Sequence, residues 1–394
     1  MQKDPIVIVS IARTPQGNLL GVLKDVSAPQ LGATAIRAAI DRAKVKPTDI
    51  EEVIMGCVLP AGQGQAPARQ AALHANIPVD VSCTTINKIC GSGMKAVMFA
   101  HDAIVAGTRN IIIAGGMESM TNAPYLLAKA RQGYRLGHSE VLDHMMLDGL
   151  EDAYEKGKPM GFFAEQCAQQ FGFTRAEQDK YAMISLERAQ KAIQEKIFSA
   201  EIAPVIIKTR QGEQIVDTDE HPGSVKLEKI PQLSPVFAKD GTITAANSSS
   251  IADGAAALVL ARQSVAEKIG LKPLARIVGH SSHAKAPNEF STAPIDAIRR
   301  LLEKTQWTVN QVDLFEINEA FAVVAMAAMH ELKIPHEKLN IHGSGCALGH
   351  PIGATGARII VTLVAALQHY KLKRGVASLC IGGGEATAIA VEML

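Results

Sequence analysis

The chain is built from short uninterrupted apolar runs separated by longer stretches of helical pattern. Residues 111–114 (IIIA) and 376–381 (VASLCI) are runs of this kind, the mark of strands covered by helices on both faces. The stretches at 94–105 and 359–367 are apolar almost all round, which predicts helices enclosed on every side. These elements recur in order. TDIEEVIMG (48–56), CGSGMKAVMFAHDAIVAG (90–107) and NIIIAGG (110–116) are echoed by NQVDLFEINEA (310–320), HPIGATGARIIVTLVAALQHY (350–370) and GVASLCIGGG (375–384). Each half reads strand, excursion, glycine-opened helix, strand, glycine pair. Two such halves side by side predict a layered α/β/α/β/α core.

Between them, from about 121 to 246, the pattern turns more polar. It carries its own helix from Thr174, where Thr174 and Glu177 form a capping box. The same device at Ser27 with Gln30 and at Thr48 with Glu51 predicts further helix starts. The stretch VIIKTRQGEQIVDTDEHPGS (205–224) alternates like a hairpin ending in a turn. The whole segment reads as a cap over a ligand site.

Composition narrows the class. With 47% hydrophobic but only 4% aromatic residues and 32 glycines among 394 residues, the chain has the make-up of a large α/β protein. Lys+Arg of 40 against Asp+Glu of 39 leaves a formal net charge of +1, so no nucleic-acid or anionic-membrane partner is expected. The start MQKDPIVIVS shows no secretory pattern, and no charge-free apolar run has the length of a bilayer crossing. A soluble, cytoplasmic protein is expected. Six cysteines without C-x-x-C spacing read as reduced thiols rather than a metal or disulfide framework.

Four places carry chemistry. Cys90 in TTINKICGSGMKAV (84–97) stands at a predicted helix start, where unpaired N–H groups would lower a thiol's pKa and receive an oxyanion; a structural cysteine is the alternative. His350 opens HPIGATGAR, and an imidazole there can take a proton from a thiol. Its place in the internal repeat matches that of Cys90, so duplication would bring the two together. Cys380 ends a buried strand before Gly382, Gly383 and Gly384, offering a second thiol as acid or base and bare N–H groups for an oxyanion hole. Asn318 in FEINEAFA orients a water or a carbonyl, or caps a helix.

Taken together, NKICGSGMKA, GGMESM, NEAFA, GHPIGATGAR and CIGGGEA resemble the thiolase family in order and spacing over essentially the whole chain. The resemblance implies a thiolase-like duplicated five-layer α/β/α/β/α core with an inserted loop domain. Its parts would be an N-terminal half (1–119 with 247–272), a cap (120–246) and a C-terminal half (273–394). GGMESMTNAPYLL and the MGFFAE segment are similar to the short-chain members that join two acetyl-CoA into acetoacetyl-CoA, or cleave it, within fatty acid metabolism.

By that likeness Cys90 would carry the acetyl group, His350 would activate it, and Cys380 would remove a methyl proton from the second acetyl-CoA. His350 with a water on Asn318 would form one oxyanion hole, and the N–H groups of Cys90 and Gly382 the other. Ser249 and Phe237 would touch the pantetheine arm, with Met160 and Phe290 near the acyl end. The resemblance implies coenzyme A thioesters as substrates, no cofactor and no metal, and a homo-oligomer, dimer or tetramer. A broad chain-length 3-ketoacyl-CoA thiolase is the nearest alternative, and a non-catalytic acyl-CoA-binding or lipid-binding protein the more distant one. The chain departs from the family at Pro159, where biosynthetic members often carry histidine, at Pro222, where an arginine can serve near CoA, and at Ser344, Gly345 and Cys346. Cys346 is assigned to packing. Ser291 follows Phe290 where members accepting 2-methyl-branched substrates have proline.

Overall fold

The computed structural model describes residues 4–210 and 212–394; Met1 to Lys3 and Gln211, within the predicted hairpin, lie outside the described residues. In chain order the principal elements of the first half are β1 (Ile6–Arg13), α1 (Ala28–Ala43), β2 (Glu52–Gly56), α2 (Pro67–His74), β3 (Ser82–Ile86), α3 (Ser92–Val105) and β4 (Ile111–Ser119). The intervening segment carries α4 (Met160–Phe171) and α5 (Arg175–Gln194). The chain then returns through β5 (Ala252–Arg262) and β6 (Ala275–Ala284), followed by α6 (Ala293–Thr305), β7 (Leu314–Ile317), α7 (Ala322–Leu332), α8 (Ile352–Tyr370), β8 (Arg374–Ile381) and β9 (Glu385–Met393).

The strands lie in the order β7-β8-β9-β6-β1-β5-β4-β2-β3, with Gly17–Asn18 added beside β5. The two ends repeat one plan. β2 runs parallel to β4, β4 antiparallel to β5 and β5 antiparallel to β1; β7, β8, β9 and β6 follow the same sequence of directions. Among the described residues the halves meet edge to edge at Val7 opposite Arg276 and Ile8 opposite Ala275.

Three apolar clusters fill the layers. α1 and α2 cover the outside of the first half through Leu31, Ile36 and Ala71. α6 and α7 cover the second through Ile298, Leu301 and Val324. Between the sheets lie α3 and α8, with Met94, Val97, Ile360 and Leu363 packed among Ile112, Leu258, Leu379 and Ile389. This is the five-layer arrangement. By length and composition alone α8 would cross a bilayer, but its surface is buried between the sheets and Arg358 sits in its middle.

Two expectations change. Thr48 starts no helix: residues Pro47–Asp49 make one 3-10 turn and the chain passes directly into β2, since only two residues separate the turn from a strand committed to the sheet. The capping boxes at Ser27 and Thr174 are formed as expected. Nor is α3 enclosed on every side. Its outer face carries Phe99 and Val105, each 44% exposed, whereas α8 is covered along almost its whole length.

A buried ionic knot ties the intervening segment to the core. Arg13 at the end of β1 donates from Nε to Glu201 (2.6 Å) and from Nη1 and Nη2 to Asp219 (2.7 and 2.8 Å), all without solvent. Its guanidinium also lies over the Phe198 ring at 4.9 Å. Satisfied bidentate geometry is what allows an arginine to be fully buried. The predicted hairpin forms between Val205–Thr209 and Gly212–Val216.

Candidate active site

The loop before α3 is clamped. Ile89, a β-branched residue, holds a left-handed φ of 46°, a conformation that costs on the order of 1–3 kcal/mol and persists only where neighbours enforce it. They do so here: Asn87 accepts the Ile89 N–H (2.9 Å), while Ser92 Oγ accepts the Lys88 N–H (2.8 Å) and donates to the Ile89 carbonyl (2.7 Å). The result turns Cys90 out of the helix line, one residue before the cap Gly91. Its sulfur then faces the backbone N–H of Gly382 as well as its own.

Cys90 therefore departs from the expected helix-terminus thiolate. Burial pushes its pKa up to about 11, and the two N–H groups only partly offset this. Desolvation outweighs the dipole because the thiol sits beyond the first turn and is enclosed by Ile89 and neighbouring apolar side chains. The thiol is protonated at neutral pH and needs a base.

His350 precedes the α8 cap, Pro351. Its backbone N–H bonds Ser250 (2.9 Å), and Nδ1 lies 2.6 Å from Thr355 Oγ1. Because Thr355 gives its hydroxyl proton to the Pro351 carbonyl (2.9 Å), it accepts from Nδ1–H. That fixes the tautomer, leaving the Nε2 lone pair free; Nε2 is buried and has no partner among the described residues. Burial, aided by Arg358, pushes the pKa of His350 down to about 3. The ring is a neutral acceptor throughout the physiological range.

The two helix starts touch through backbone. A Cβ on Gly116, in β4, would lie 2.0 Å from the Gly353 carbonyl, and one on Gly356 would lie 2.4 Å from the Met94 nitrogen. Glu118 holds this junction by accepting from the N–H groups of Val58 (2.9 Å), Leu59 (3.2 Å) and Gly353 (2.9 Å). Ile352, the first residue of α8, shares an apolar cluster with Cys90.

Cys380, at the end of β8, is 1% exposed. Burial, and then the neighbouring Cys90, push its pKa well up; the two thiols are close enough that both ionised together is disfavoured. Gly382 follows, with Met160 Sδ 3.6 Å from where its Cβ would be.

Asn318 is wholly buried and caps no helix, since α7 begins beyond Phe321. Its Oδ1 accepts from Arg358 Nη2 at 3.4 Å. That turns Nδ2, which has no partner among the described residues, towards the opposite side as a free donor. Arg358 also donates to Ser344 (3.2 Å) and lies 3.8 Å from Glu316. Glu319 accepts from Tyr181, Ser185, Asn340 and the Cys346 N–H at 2.7–3.2 Å, tying this turn to α5 and to the chain leading into His350. Cys346 is buried in that packing.

Of the expected substrate contacts, Met160 stands beside Gly382, and Phe237 lies against the Gly161 backbone next to it. Phe237 and Phe290 meet the Phe321 ring at 6.0 and 6.3 Å, and Ser249 donates its N–H to Ala320 (2.9 Å). Phe290 is a core residue, 2% exposed. A cleft of about 520 Å³ opens over Ile89, Met160 and Gly382, walled on its far side by residues 144–154 of the intervening segment. Sequence reasoning missed Thr355, Arg358 and Glu118. Each is a polar residue inside an apolar run, and that was the available signal.

Comparison with known proteins agrees over the full length. Residues 6–264 match the family described as thiolase, N-terminal domain, and residues 271–393 match thiolase, C-terminal domain. Acetyl-CoA acetyltransferase 1 of Arabidopsis thaliana is 48% identical, over 100% of this chain and 95% of its own. The acetyl-CoA acetyltransferase of Cupriavidus necator is 46% identical over 98% and 99%. Among solved structures, the Bacillus anthracis acetyl-CoA acetyltransferase superposes with a TM-score of 0.96 at 42% identity, covering 99% of each chain. The Acat5 thiolase of Ascaris suum in complex with coenzyme A gives 0.93 at 41%, covering 99% of this chain and 100% of its own.

Proposed function

The chain belongs to the thiolase family and is an acetyl-CoA C-acetyltransferase, and we propose that it works by ping-pong acyl transfer through Cys90. The carrying observation is the placement of the Cys90 sulfur at the Gly382 N–H while the only free nitrogen of His350, on the adjoining helix start, is an unprotonated acceptor. In the first half-reaction His350 Nε2 takes the Cys90 proton. The sulfur adds to the acetyl carbonyl, whose oxyanion is held by the N–H groups of Cys90 and Gly382. Collapse breaks the bond to the CoA sulfur, which leaves with the proton of Cys380, so that Cys380 becomes the thiolate and His350 keeps the Cys90 proton on Nε2.

In the second half-reaction Cys380, as thiolate, removes a proton from the methyl group of a second acetyl-CoA. The enolate oxygen is held by the Nε2–H of protonated His350 and by a water on Asn318 Nδ2. The carbanion adds to the acetyl-enzyme, and expulsion of Cys90, which takes its proton back from His350, gives acetoacetyl-CoA. Thiolysis is the same path reversed. No cofactor is required, since CoA itself supplies the activated thioester.

We read residues 120–246 as a cap, because part of it walls the cleft and Arg13 fastens it to β1. The two thiolase halves would be 1–119 with 247–272 and 273–394. Self-association is placed on β3, an edge strand with exposed positions, and on the neighbouring outer face of α3 with Phe99 and Val105. A cytoplasmic homotetramer acting in fatty acid metabolism is the setting we propose.

The test is thiolysis of acetoacetyl-CoA beside 3-ketohexanoyl- and 3-ketodecanoyl-CoA, compared by kcat/KM, with Cys90→Ala as control. Preference for acetoacetyl-CoA that disappears in the variant supports the assignment. Equal rates on the longer chains would make it a broad-range degradative enzyme, and activity surviving without Cys90 would overturn the mechanism.

A further inference from the structure

The two N–H groups that face the Cys90 sulfur come from loops far apart in the chain. One is that of Cys90 itself, in the loop 87–91 that the strained Ile89 bends; the other is that of Gly382, in the turn 382–384 between β8 and β9. At its far end this turn is held by the Lys285 N–H, which bonds the Gly384 carbonyl (2.8 Å). Its middle is open: Gly383 and Gly384 adopt left-handed φ of 91° and 86°, and a Cβ on Gly383 would meet nothing within 4 Å. Packing brings the loops together, since a Cβ on Gly91 would lie 2.4 Å from Ile381 Cδ1. Apart from the sulfur, one side-chain bond joins 87–91 to 382–385 among the described residues: Lys88 Nζ donates to Glu385 Oε2 at 2.5 Å.

The pair is placed to act on the spacing of those N–H groups. Glu385 is the first residue of β9 and lies opposite Ile381 in the ladder, so it is fixed relative to Gly382, one residue on. Lys88 is fixed relative to Cys90, because its N–H donates to Ser92 Oγ and its carbonyl accepts from the Gly91 N–H (3.0 Å). The two side chains are 23% and 37% exposed, which gives the pair the modest worth of a partly screened ion pair. Lys95 also faces it, but its ammonium is seated over the Phe99 ring at 4.5 Å. The sulfur's own contact with the Gly382 N–H cannot keep the loops in register through a reaction, because that N–H has to leave the sulfur for the carbonyl oxygen as the acyl bond forms. A link outside the reacting atoms keeps its geometry while the sulfur changes partner.

We propose that Lys88 and Glu385 are positioning residues whose ion pair sets the distance between the Cys90 and Gly382 N–H groups, and with it the fit of the hole that holds the oxyanion. This rests on the acyl-transfer reading above. The pair acts on the chemical step through the backbone on either side of the hole and not on the affinity for substrate.

The experiment uses Lys88→Met, Glu385→Gln and the double exchange of Lys88→Glu with Glu385→Lys in the full-length protein, with folding checked by thermal melts. In acetoacetyl-CoA thiolysis each single variant is expected to lower kcat about three- to tenfold with KM unchanged, the pattern of an interaction felt only in the transition state and well short of the roughly 10²–10³ of a lost oxyanion donor. The double exchange should recover most of kcat. A second readout needs no turnover: the rate at which iodoacetamide alkylates Cys90 at about pH 8, followed by peptide mass spectrometry. Loosening the turn takes an N–H away from the sulfur in both single variants, so both should slow about threefold. A purely electrostatic influence would slow Lys88→Met and speed Glu385→Gln, because the first removes a positive charge near the thiolate and the second a negative one. Unchanged kcat in both single variants, a rise in KM without a fall in kcat, no recovery in the double exchange, or alkylation rates moving in opposite directions would overturn the inference. A wild type that is alkylated but does not cleave acetoacetyl-CoA would instead overturn the proposed reaction, and the alkylation rates would still decide whether the pair ties the two loops.

Discussion

The starts of α3 and α8 are the same element used twice, yet their surroundings are opposite. α3 follows a strained loop, keeps Phe99 and Val105 in solvent on its outer face, and has its thiol next to Ile89, which lines a cleft. α8 is enclosed from end to end, and the histidine before it is 5% exposed. The difference fits the two tasks proposed. A nucleophile has to meet a ligand arriving from outside, whereas a base for a thiol must have an unprotonated ring nitrogen in the resting state. Burial acts on both with opposite results: it raises the thiol, which then needs a base, and keeps the imidazole unprotonated. His350 is kept neutral by the layer that α8 occupies rather than by any one partner.

The largest break in this comparison comes from the thiol. Cys90→Ala should lower kcat by at least about 10⁴-fold while leaving the melting temperature nearly unchanged, because the sulfur contributes little packing at the cleft. Asn318→Ala, removing the free Nδ2 donor, should cost kcat roughly 10²-fold, the scale of one oxyanion donor. Thr355→Val keeps shape but removes the acceptor that fixes the His350 tautomer; kcat should fall about tenfold, the lower end of what loss of a ring-orienting partner costs, with KM unchanged.

The packing side of the comparison can be sharpened on the helices themselves. Gly356→Ala forces a Cβ against the Met94 nitrogen and should destabilise by about 1–3 kcal/mol, the usual cost of overpacking, read in denaturant melts. Phe99→Ser on the open face of α3 should leave the melt of the single chain within about 0.5 kcal/mol but weaken self-association in sedimentation velocity.

Acid supplies the last test. Burial holds His350 at about 3 and His342 at about 4, against 6.5 for a free ring. Between those values the unfolded chain binds protons that the folded chain refuses, so this contribution is fully present above pH 6.5 and is lost as pH falls towards 3. Replacing His342 with Asn should flatten the acid limb of a stability–pH curve; an unchanged limb would show that other groups control it.

Much of this was legible before any coordinates. The apolar runs ending in Gly115–Gly116 and Cys380–Gly382, and the repeat linking Cys90 with His350, led to the layered core and its two helix starts. What pattern could not reveal was the balance of opposing effects. A helix start argues for an acidic thiol, but the depth of Cys90 depends on side chains distant in sequence, Ile352 and Met145 among them. The same limit applies to Thr48, whose capping signal is real but is overridden by a strand that begins four residues later. Arg358 and Glu118 looked like interruptions in apolar runs, because their partners Asn318 and Gly353 are far away along the chain.

The placement of β5 has a consequence for the way the chain is made. β5 is inserted between β1 and β4, pairing with both, yet it follows them by the entire intervening segment. A ribosome releasing this protein from its amino terminus exposes β1 and β4 long before the strand that joins them exists. The first sheet is therefore a non-local structure that closes late. The buried carboxylates Glu201 and Asp219 emerge before β5 and can already dock on Arg13, giving the growing chain a partner for β1 while its permanent neighbour is still being synthesised.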